Sequence, residues 1–169
     1  MKFIQTHLMI AKKVLLVGNF GVGKTSLIRR FVLNEFSEEY ISTIGVRVSS
    51  KIIKIDTEEI KLLIWDVAGT SADEKVPKAY FLGSSAAMFV FDLSREETYN
   101  NIKNQVDIVK QLSGLGTITV VGNKKDLVTF KEIEQLKKTI SISIDLITSA
   151  KDDENVEDAF KELAKQSLN

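Results

Sequence analysis

One short pattern restricts the possible folds of this chain more than any other feature. Residues 18–25 are Gly-Asn-Phe-Gly-Val-Gly-Lys-Thr, which fits the pattern G-x-x-x-x-G-K-[S/T]. Its glycines allow a turn so tight that successive backbone amides point at phosphate oxygens. The lysine neutralises the β- and γ-phosphates, and the threonine hydroxyl is offered to magnesium. The pattern therefore predicts a loop that binds the phosphates of a nucleotide.

The sequence on either side of this loop fits the same interpretation. The apolar residues 13–18 predict a buried strand, and residues 25–33 predict a helix with its apolar side chains on one face. The helix adds its positive N-terminal end to the phosphate site. Phosphate contacts are expected from Gly18, Asn19, Phe20, Gly21, Val22, Gly23, Lys24, Thr25 and Ser26.

Short β-branched segments alternate with amphipathic helical patterns over the rest of the chain. Strands are predicted at residues 46–55, 60–67, 86–93, 117–122 and 142–147, and helices at 98–112, 130–138 and 156–168. The first two of these strands form a hairpin, and Pro77 lies in a loop that leads into a short helix. The pattern predicts an α/β fold of the P-loop NTPase class. We expect a mostly parallel six-stranded sheet with one antiparallel edge strand, and about five helices on its two faces.

Length and composition exclude several other classes of protein. The 169 residues fit one domain, residues 1–169 with a core of about 12–168, and 23 basic residues balance 23 acidic ones. Without a net positive charge, nucleic acid is not an expected partner. The chain has no cysteine to carry a disulfide or a prenyl group, and Lys2 stands where myristoylation needs glycine. We expect a cytoplasmic monomer with no direct lipid anchor.

A carboxylate ends the strand predicted at residues 60–67, and it is a candidate metal ligand. Asp66 follows four apolar residues, and Gly69 comes three positions later. An aspartate after a strand is usually only a turn former. Beside a phosphate loop it can hold a magnesium-bound water, and the amide of Gly69 can approach a γ-phosphate.

A second motif, at residues 123–126, predicts which base is bound. Asn123, Lys124, Lys125 and Asp126 follow an apolar strand. The carboxylate of Asp126 can accept hydrogen bonds from N1–H and from the exocyclic amine of guanine, whereas adenine has no such pair of donors. The stem of Lys124 can lie over the base plane.

A third short segment follows the last predicted strand. It consists of Ser149, Ala150 and Lys151. The amide of Ala150 is a candidate donor to the guanine carbonyl. By itself this triplet would carry no functional information.

Together these motifs resemble the Ras-like small GTPases, and most closely their Rab branch, from about Lys12 to the last helix. The resemblance implies a first switch at residues 36–45, with Phe36 against guanine and Tyr40 over the phosphates. It implies Mg²⁺ on Thr25, Thr43 and Asp66, with GTP or GDP as ligand. The implied catalytic residues are Lys24, Thr43, Gly69 and Thr70. Effector, exchange-factor and activating proteins would bind through residues of about 36–48 and 66–82.

Three departures from the family pattern bear on activity. Thr70 replaces the glutamine that orients the attacking water, and it is too short to do so. Phe20 occupies a loop position that is small in most of the family, and its ring would crowd an arginine supplied by a partner. The chain also stops after the last helix without a cysteine-bearing tail. We expect slow hydrolysis of GTP by a molecular switch.

Two alternatives belong to other functional classes. Thr70 and Phe20 are also compatible with a hydrolysis-deficient GTP-binding module that acts through nucleotide-dependent partner binding. A P-loop ATPase or small-molecule kinase has less support, because it needs an acceptor site or lid and because Asp126 favours guanine.

Overall fold

The computed structural model describes residues 9–39, 43–69 and 76–169. Its strands are β1 Ile10–Val17, β2 Val46–Ile55, β3 Glu58–Val67, β4 Ala86–Asp92, β5 Thr119–Asn123 and β6 Leu146–Ile147. Its α-helices are α1 Lys24–Leu33, α2 Ile102–Ser113, α3 Phe130–Thr139 and α4 Val156–Gln166. Short 3-10 helices lie at Lys78–Tyr80, Glu96–Thr98 and Lys125–Leu127. The described residues thus hold four α-helices and three 3-10 helices, where about five helices were predicted.

The predicted six-stranded, mostly parallel sheet is confirmed. Its strand order is β2-β3-β1-β4-β5-β6, and the antiparallel pair in it is β2 with β3 at one edge. β1 pairs in parallel with β3 and β4, and β5 pairs in parallel with β4 and β6. The carboxyl ends of β1, β3, β4, β5 and β6 therefore meet at one end of the sheet. The loops that follow β1, β3, β5 and β6 carry the phosphate loop, Gly69 and the segments at residues 123–126 and 149–151, whereas Phe36 and Thr43 lie between α1 and β2.

Helices cover both faces of the sheet and create two hydrophobic cores. On one face α1 and α4 pack together, and the rings of Phe31 and Phe160 stack with centroids 4.0 Å apart. On the other face α2 contributes Ile102 and Val106, and α3 contributes Leu136. β4 lies between the two cores, and all seven of its residues are buried. Strands buried on both faces are expected to be continuously apolar, as β4 nearly is.

Two predicted elements differ from the structure. The helix predicted from residue 98 begins at Ile102, because the Thr98 hydroxyl is used in the preceding loop. It accepts a hydrogen bond from Asp92 N at 3.0 Å and donates to Arg95 O at 2.7 Å. The strand predicted at residues 142–147 is only Leu146–Ile147. The alternating isoleucines before it pack on the second core without pairing in the sheet.

In the described part of the chain, no helix is long and apolar enough to cross a bilayer.

Candidate nucleotide-binding site

The loop between β1 and α1 has a backbone that only glycine accommodates. Gly18, Gly21 and Gly23 all have positive φ, at 138°, 73° and 100°. A Cβ on Gly18 would lie 2.0 Å from the carbonyl oxygen of Val90, and one on Gly23 would lie 2.3 Å from Asn123 Nδ2. Gly23 directly precedes α1, so the helix N-terminus opens onto the loop. This is the geometry of an anion site built from backbone amides.

Lys24 lies inside the loop and is nearly buried, with 6% of its surface exposed. Its Nζ donates to the carbonyl oxygens of Gly18 at 2.7 Å and Asn19 at 3.0 Å. Burial lowers the pKa of Lys24 to about 8, although the nearby charge of Asp66 opposes the shift. Because burial disfavours the charged form of Lys24, an anionic ligand beside its ammonium group would stabilise that charge.

Three oxygen-bearing side chains from separate segments converge beside the loop. Asp66, at the end of β3, accepts at Oδ2 from Thr25 Oγ1 at 2.5 Å and from Thr43 Oγ1 at 3.2 Å. The two threonine hydroxyls are 2.9 Å apart. Burial raises the pKa of the Asp66 carboxyl, against the lowering effects of the Thr25 hydroxyl and of Lys24. The arrangement brings together all three predicted magnesium ligands.

These residues fit a magnesium ion. Among the described residues, Asp66 Oδ1 is buried and has no hydrogen-bond partner. A carboxylate and two hydroxyls form the hard oxygen donor set that Mg²⁺ takes, with phosphate oxygens and water completing its octahedron. The described residues hold no cluster of three or more His, Asp or Glu side chains that would form a different metal site.

Gly69 lies against the phosphate loop. A Cβ at Gly69 would come within 2.4 Å of Phe20 N and 2.6 Å of the Asn19 carbonyl carbon, so glycine allows this backbone contact. The Phe20 side chain is half exposed on the same side of the cleft. Tyr40 and Thr70, two other predicted site residues, lie outside the described residues.

Asn123, at the end of β5, contacts both the phosphate loop and the segment at residues 148–151. Its Nδ2 donates to Val22 O at 3.0 Å, and its Oδ1 accepts from Thr148 Oγ1 at 3.1 Å and from Ala150 N at 3.3 Å. The side chain is buried. Asn123 therefore positions the phosphate loop against the segment at residues 148–151, and the Ala150 amide predicted to face the base donates to Asn123 here.

Asp126 and Lys124, which follow β5, are each held by a neighbouring side chain. Ser149 Oγ donates to Asp126 Oδ1 at 2.8 Å, which orients the carboxylate. Lys124 adopts a left-handed backbone conformation with φ 65°, and its Nζ is 2.7 Å from Asp92 Oδ2. The predicted guanine contacts thus lie together, held by Ser149 and by Asp92.

Arg30 holds the segment at residues 150–151 in place, a role that no sequence motif indicated. Its Nε donates to Ala150 O at 2.9 Å and its Nη2 to Lys151 O at 3.0 Å. The guanidinium also lies 5.9 Å from the ring of Phe36. Lys151 Nζ is 3.1 Å from Glu38 Oε1. The segment around Phe36 is therefore held against the segment at residues 150–151.

These groups surround a cleft of about 310 Å³. Its lining residues are Phe20, Gly21, Gly23, Lys24, Thr25, Ser26, Arg29, Phe36, Ser37, Glu38, Glu39, Thr43, Gly69, Asn123, Lys124, Asp126, Leu127, Ala150 and Lys151. Among the predicted site residues that the structure describes, five are not in that lining: Gly18, Asn19, Val22, Asp66 and Ser149. Gly18 and Asn19 instead line a neighbouring, mostly apolar cavity of about 450 Å³.

Four further residues position parts of the site and were not predicted from the sequence: Asp92, Arg30, Thr148 and Arg95, whose Nη2 donates to Phe20 O at 2.7 Å. A carboxylate at the end of an apolar strand was the available signal for Asp92, since the same signal indicated Asp66. No comparable signal marks the other three, because each acts through contacts to backbone or to residues far away in sequence.

Known proteins with sequences similar to this chain agree with the fold. A model of the Ras family matches residues 13–169. The chain is 37% identical to Ras-related protein Rab-4A of Rattus norvegicus over 163 residues, which cover 93% of this chain and 74% of that protein. It is 37% identical to Rab-4A of Danio rerio, covering 93% and 76%. It is 34% identical to Ras-related protein Rab-4B of Homo sapiens, again covering 93% and 76%.

Fold and site together define a P-loop protein that binds guanine nucleotides. The family match and the identity to relatives over nearly the whole chain make the assignment more specific. The chain belongs to the Ras family of small GTPases, in its Rab branch.

Proposed function

We propose that this protein is a molecular switch that binds GTP or GDP with Mg²⁺ and hydrolyses GTP slowly. The observation that carries the proposal is one cleft lined both by Lys24 and Thr25 and by Asp126. A nucleotide has its charge at one end and its base at the other, and these two groups of side chains match the chemistry of the two ends.

The phosphate end binds through backbone amides and one charge. The loop amides from Gly21 to Thr25 donate to phosphate oxygens, and the N-terminus of α1 favours their negative charge. Lys24 exchanges its carbonyl partners, Gly18 O and Asn19 O, for the β- and γ-phosphates. Binding of the phosphates raises the pKa of Lys24 from about 8, so that the lysine stays charged.

Thr25, Thr43 and Asp66 would hold the magnesium ion. Their two hydroxyls and one carboxylate, which are hydrogen-bonded to one another in the structure, would supply its protein oxygen donors. When bound, the ion would neutralise charge on the β- and γ-phosphates. Thr43 ties the first switch to the nucleotide only when a γ-phosphate is present.

The base end selects guanine. Asp126 accepts from N1–H and the exocyclic amine, and Ser149 keeps its carboxylate oriented for this. The Lys124 stem covers one face of the base and Phe36 contacts its edge. The segment with Ala150 and Lys151 closes the pocket near the guanine carbonyl.

Nucleotide state changes the surface offered to partner proteins. The γ-phosphate holds Thr43 and the Gly69 amide, and hydrolysis releases both segments. Residues of about 36–48 and 66–82 therefore present a different surface in each nucleotide state, and effector, exchange-factor and activating proteins bind there in a state-dependent way. Ile44, Val48 and Leu82 lie in these ranges and are exposed, which supports an interface there.

Hydrolysis is slow because Thr70 stands where the family has the glutamine that orients the attacking water. Water attacks the γ-phosphorus in line, the bond to the β–γ bridging oxygen breaks, and GDP leaves with the electron pair. Lys24 stabilises the charge that develops. Thr70 is too short to orient the water, and the half-exposed Phe20 occupies space beside Gly69.

Single-turnover phosphate release from the GTP-loaded chain tests this proposal. We expect Thr70→Gln to raise the rate by about tenfold, since it restores a positioning group. Thr57→Gln, on the exposed turn between β2 and β3, is the matched control and leaves the rate unchanged.

Two results would count against slow turnover. A wild-type rate equal to that of glutamine-bearing Rab proteins contradicts the assigned effect of Thr70. No measurable phosphate release, together with GTP as the nucleotide that copurifies with the chain, favours the hydrolysis-deficient binding module instead.

A further inference from the structure

Two side chains outside the predicted nucleotide contacts connect the base end of the cleft to the phosphate loop. Asp92 ends β4, and Arg95 follows three residues later. The Asp92 side chain is only 1% exposed, and its Oδ2 lies 2.7 Å from Lys124 Nζ and 3.0 Å from Arg95 Nε. One buried carboxylate oxygen therefore holds both the lysine assigned to the base and an arginine.

Arg95 also contacts the backbone of the phosphate loop. Its Nη2 donates to the carbonyl oxygen of Phe20 at 2.7 Å, while its Nε is held by Asp92. A Cβ on Gly21 would lie 3.6 Å from that same Nη2, so the guanidinium lies against the loop backbone. The planar fork of arginine supplies both bonds at fixed geometry, which lysine cannot do.

Both oxygens of the Asp92 carboxylate accept hydrogen bonds in this arrangement. Its Oδ1 accepts from Ser94 N at 2.9 Å and from Ser94 Oγ at 2.7 Å. Burial raises the pKa of Asp92, but hydrogen bonds from Lys124 and Ser94 outweigh burial and leave it below its ordinary value. The group is thus charged at neutral pH and paired on both oxygens, the condition under which a buried carboxylate is stable.

We infer that Asp92 and Arg95 are positioning residues that slow the release of bound guanine nucleotide. Asp92 fixes the Lys124 stem over the base, and Arg95 fixes the Phe20–Gly21 backbone around the phosphates. Without these bonds the long, partly exposed lysine samples other rotamers, and ordering it costs binding free energy. The inference rests on the proposed function, because it assumes that the cleft holds a guanine nucleotide.

Release of a fluorescent methylanthraniloyl GDP from the Mg²⁺-loaded full chain into excess unlabelled GDP is the test. We expect Asp92→Asn to speed release by about tenfold, because a charge-assisted bond to Lys124 is lost while Ser94 keeps its acceptor. Arg95→Ala speeds release by about threefold to tenfold, since Arg95 is partly exposed. Glu134→Gln removes the carboxylate of an exposed pair with Lys137 on α3 and leaves release unchanged.

A double-mutant cycle with Lys124→Met separates positioning from a general structural role. Because Asp92 acts partly through Lys124, Asp92→Asn accelerates release less when Lys124 is already methionine, and the remaining acceleration comes from its bond to Arg95. An equal acceleration in both backgrounds overturns the assignment, as does unchanged release in Asp92→Asn and Arg95→Ala. If Asp92→Asn fails to fold by circular dichroism, Arg95→Ala decides the question, because it leaves Lys124 paired with Asp92: unchanged release from Arg95→Ala then overturns the assignment.

The wild type and Asp126→Ala distinguish this inference from the proposed function. A wild type that retains no labelled GDP refutes guanine-nucleotide binding itself. A wild type that retains GDP, an Asp126→Ala variant that does not, and unchanged release from Asp92→Asn and Arg95→Ala together refute only the positioning role.

Discussion

Gly18 shows how one residue can decide whether the phosphate loop forms. Its φ of 138° is in the region that favours glycine, and a Cβ there would lie 2.0 Å from the backbone oxygen of Val90 on the neighbouring strand. Backbone cannot move aside as a flexible side chain can. The sequence motif demands glycine at this position, and the contact with β4 supplies the reason.

Gly18→Ala is therefore expected to destabilise the protein by about 3 kcal/mol or more and to abolish GDP binding. Urea unfolding followed by circular dichroism measures the first effect, and equilibrium titration with labelled GDP the second. Gly116→Ala is the matched control, because nothing lies within 4 Å of its added Cβ. A Gly18→Ala variant as stable as Gly116→Ala would contradict the steric argument.

Whether a site residue could be predicted from the sequence depends on how far along the chain its contact partners lie. The sequence predicted Lys24, Asp66, Asn123 and Asp126 because each stands in a short motif with its own chemistry. It did not predict Arg95, whose carbonyl partner at Phe20 is 75 residues away. Contacts of that kind depend on which loops the sheet brings together.

Among the secondary-structure elements, α1 and α4 provide the support beneath the phosphate loop. Phe31 on α1 and Phe160 on α4 stack with their planes 6° apart, and Phe160 is completely buried. Since the loop ends at the first residue of α1, the position of that helix against the sheet fixes the position of Lys24. Packing between the first and last helices is thus linked to the site.

Phe160→Ala is expected to lower the free energy of unfolding by about 3–5 kcal/mol, because it leaves a cavity between α1 and α4. Phe130→Ala removes the same atoms from a side chain that is 79% exposed, and it changes stability by less than about 0.5 kcal/mol. Urea unfolding of both variants in saturating GDP and Mg²⁺ gives the comparison. Similar losses in the two variants would argue against the stacked pair as a core contact.

For the whole molecule, the cleft joins segments from both ends of the chain. Its lining residues run from Phe20 to Lys151 and come from α1, from the segment between α1 and β2, and from loops after β1, β3, β5 and β6. A ligand in the cleft contacts all of these loops at once, so it binds the folded chain and not the unfolded one. Ligand binding must then raise the stability of the fold as a whole.

GDP with Mg²⁺ is expected to stabilise the nucleotide-stripped protein by about 4 kcal/mol at a concentration one thousand times its Kd. ATP with Mg²⁺ at the same concentration gives little stabilisation, because Asp126 has no donor pair to accept from in adenine. Thermal unfolding with each nucleotide measures both effects, and Asp126→Ala should lose most of the response to GDP. Equal stabilisation by ATP would refute the assignment of Asp126 to guanine.

By itself the sequence determined the α/β class, the phosphate loop and the order of the motifs along the chain. These properties depend on local backbone geometry and on hydrophobic periodicity, which short stretches of residues specify. Only the tertiary structure decided that Asp92 would hold Lys124, that Arg95 would reach the loop at Phe20, and that β6 would be two residues long. The reason is that strand order and register bring distant side chains to one end of the sheet, and no local pattern records which of them will meet.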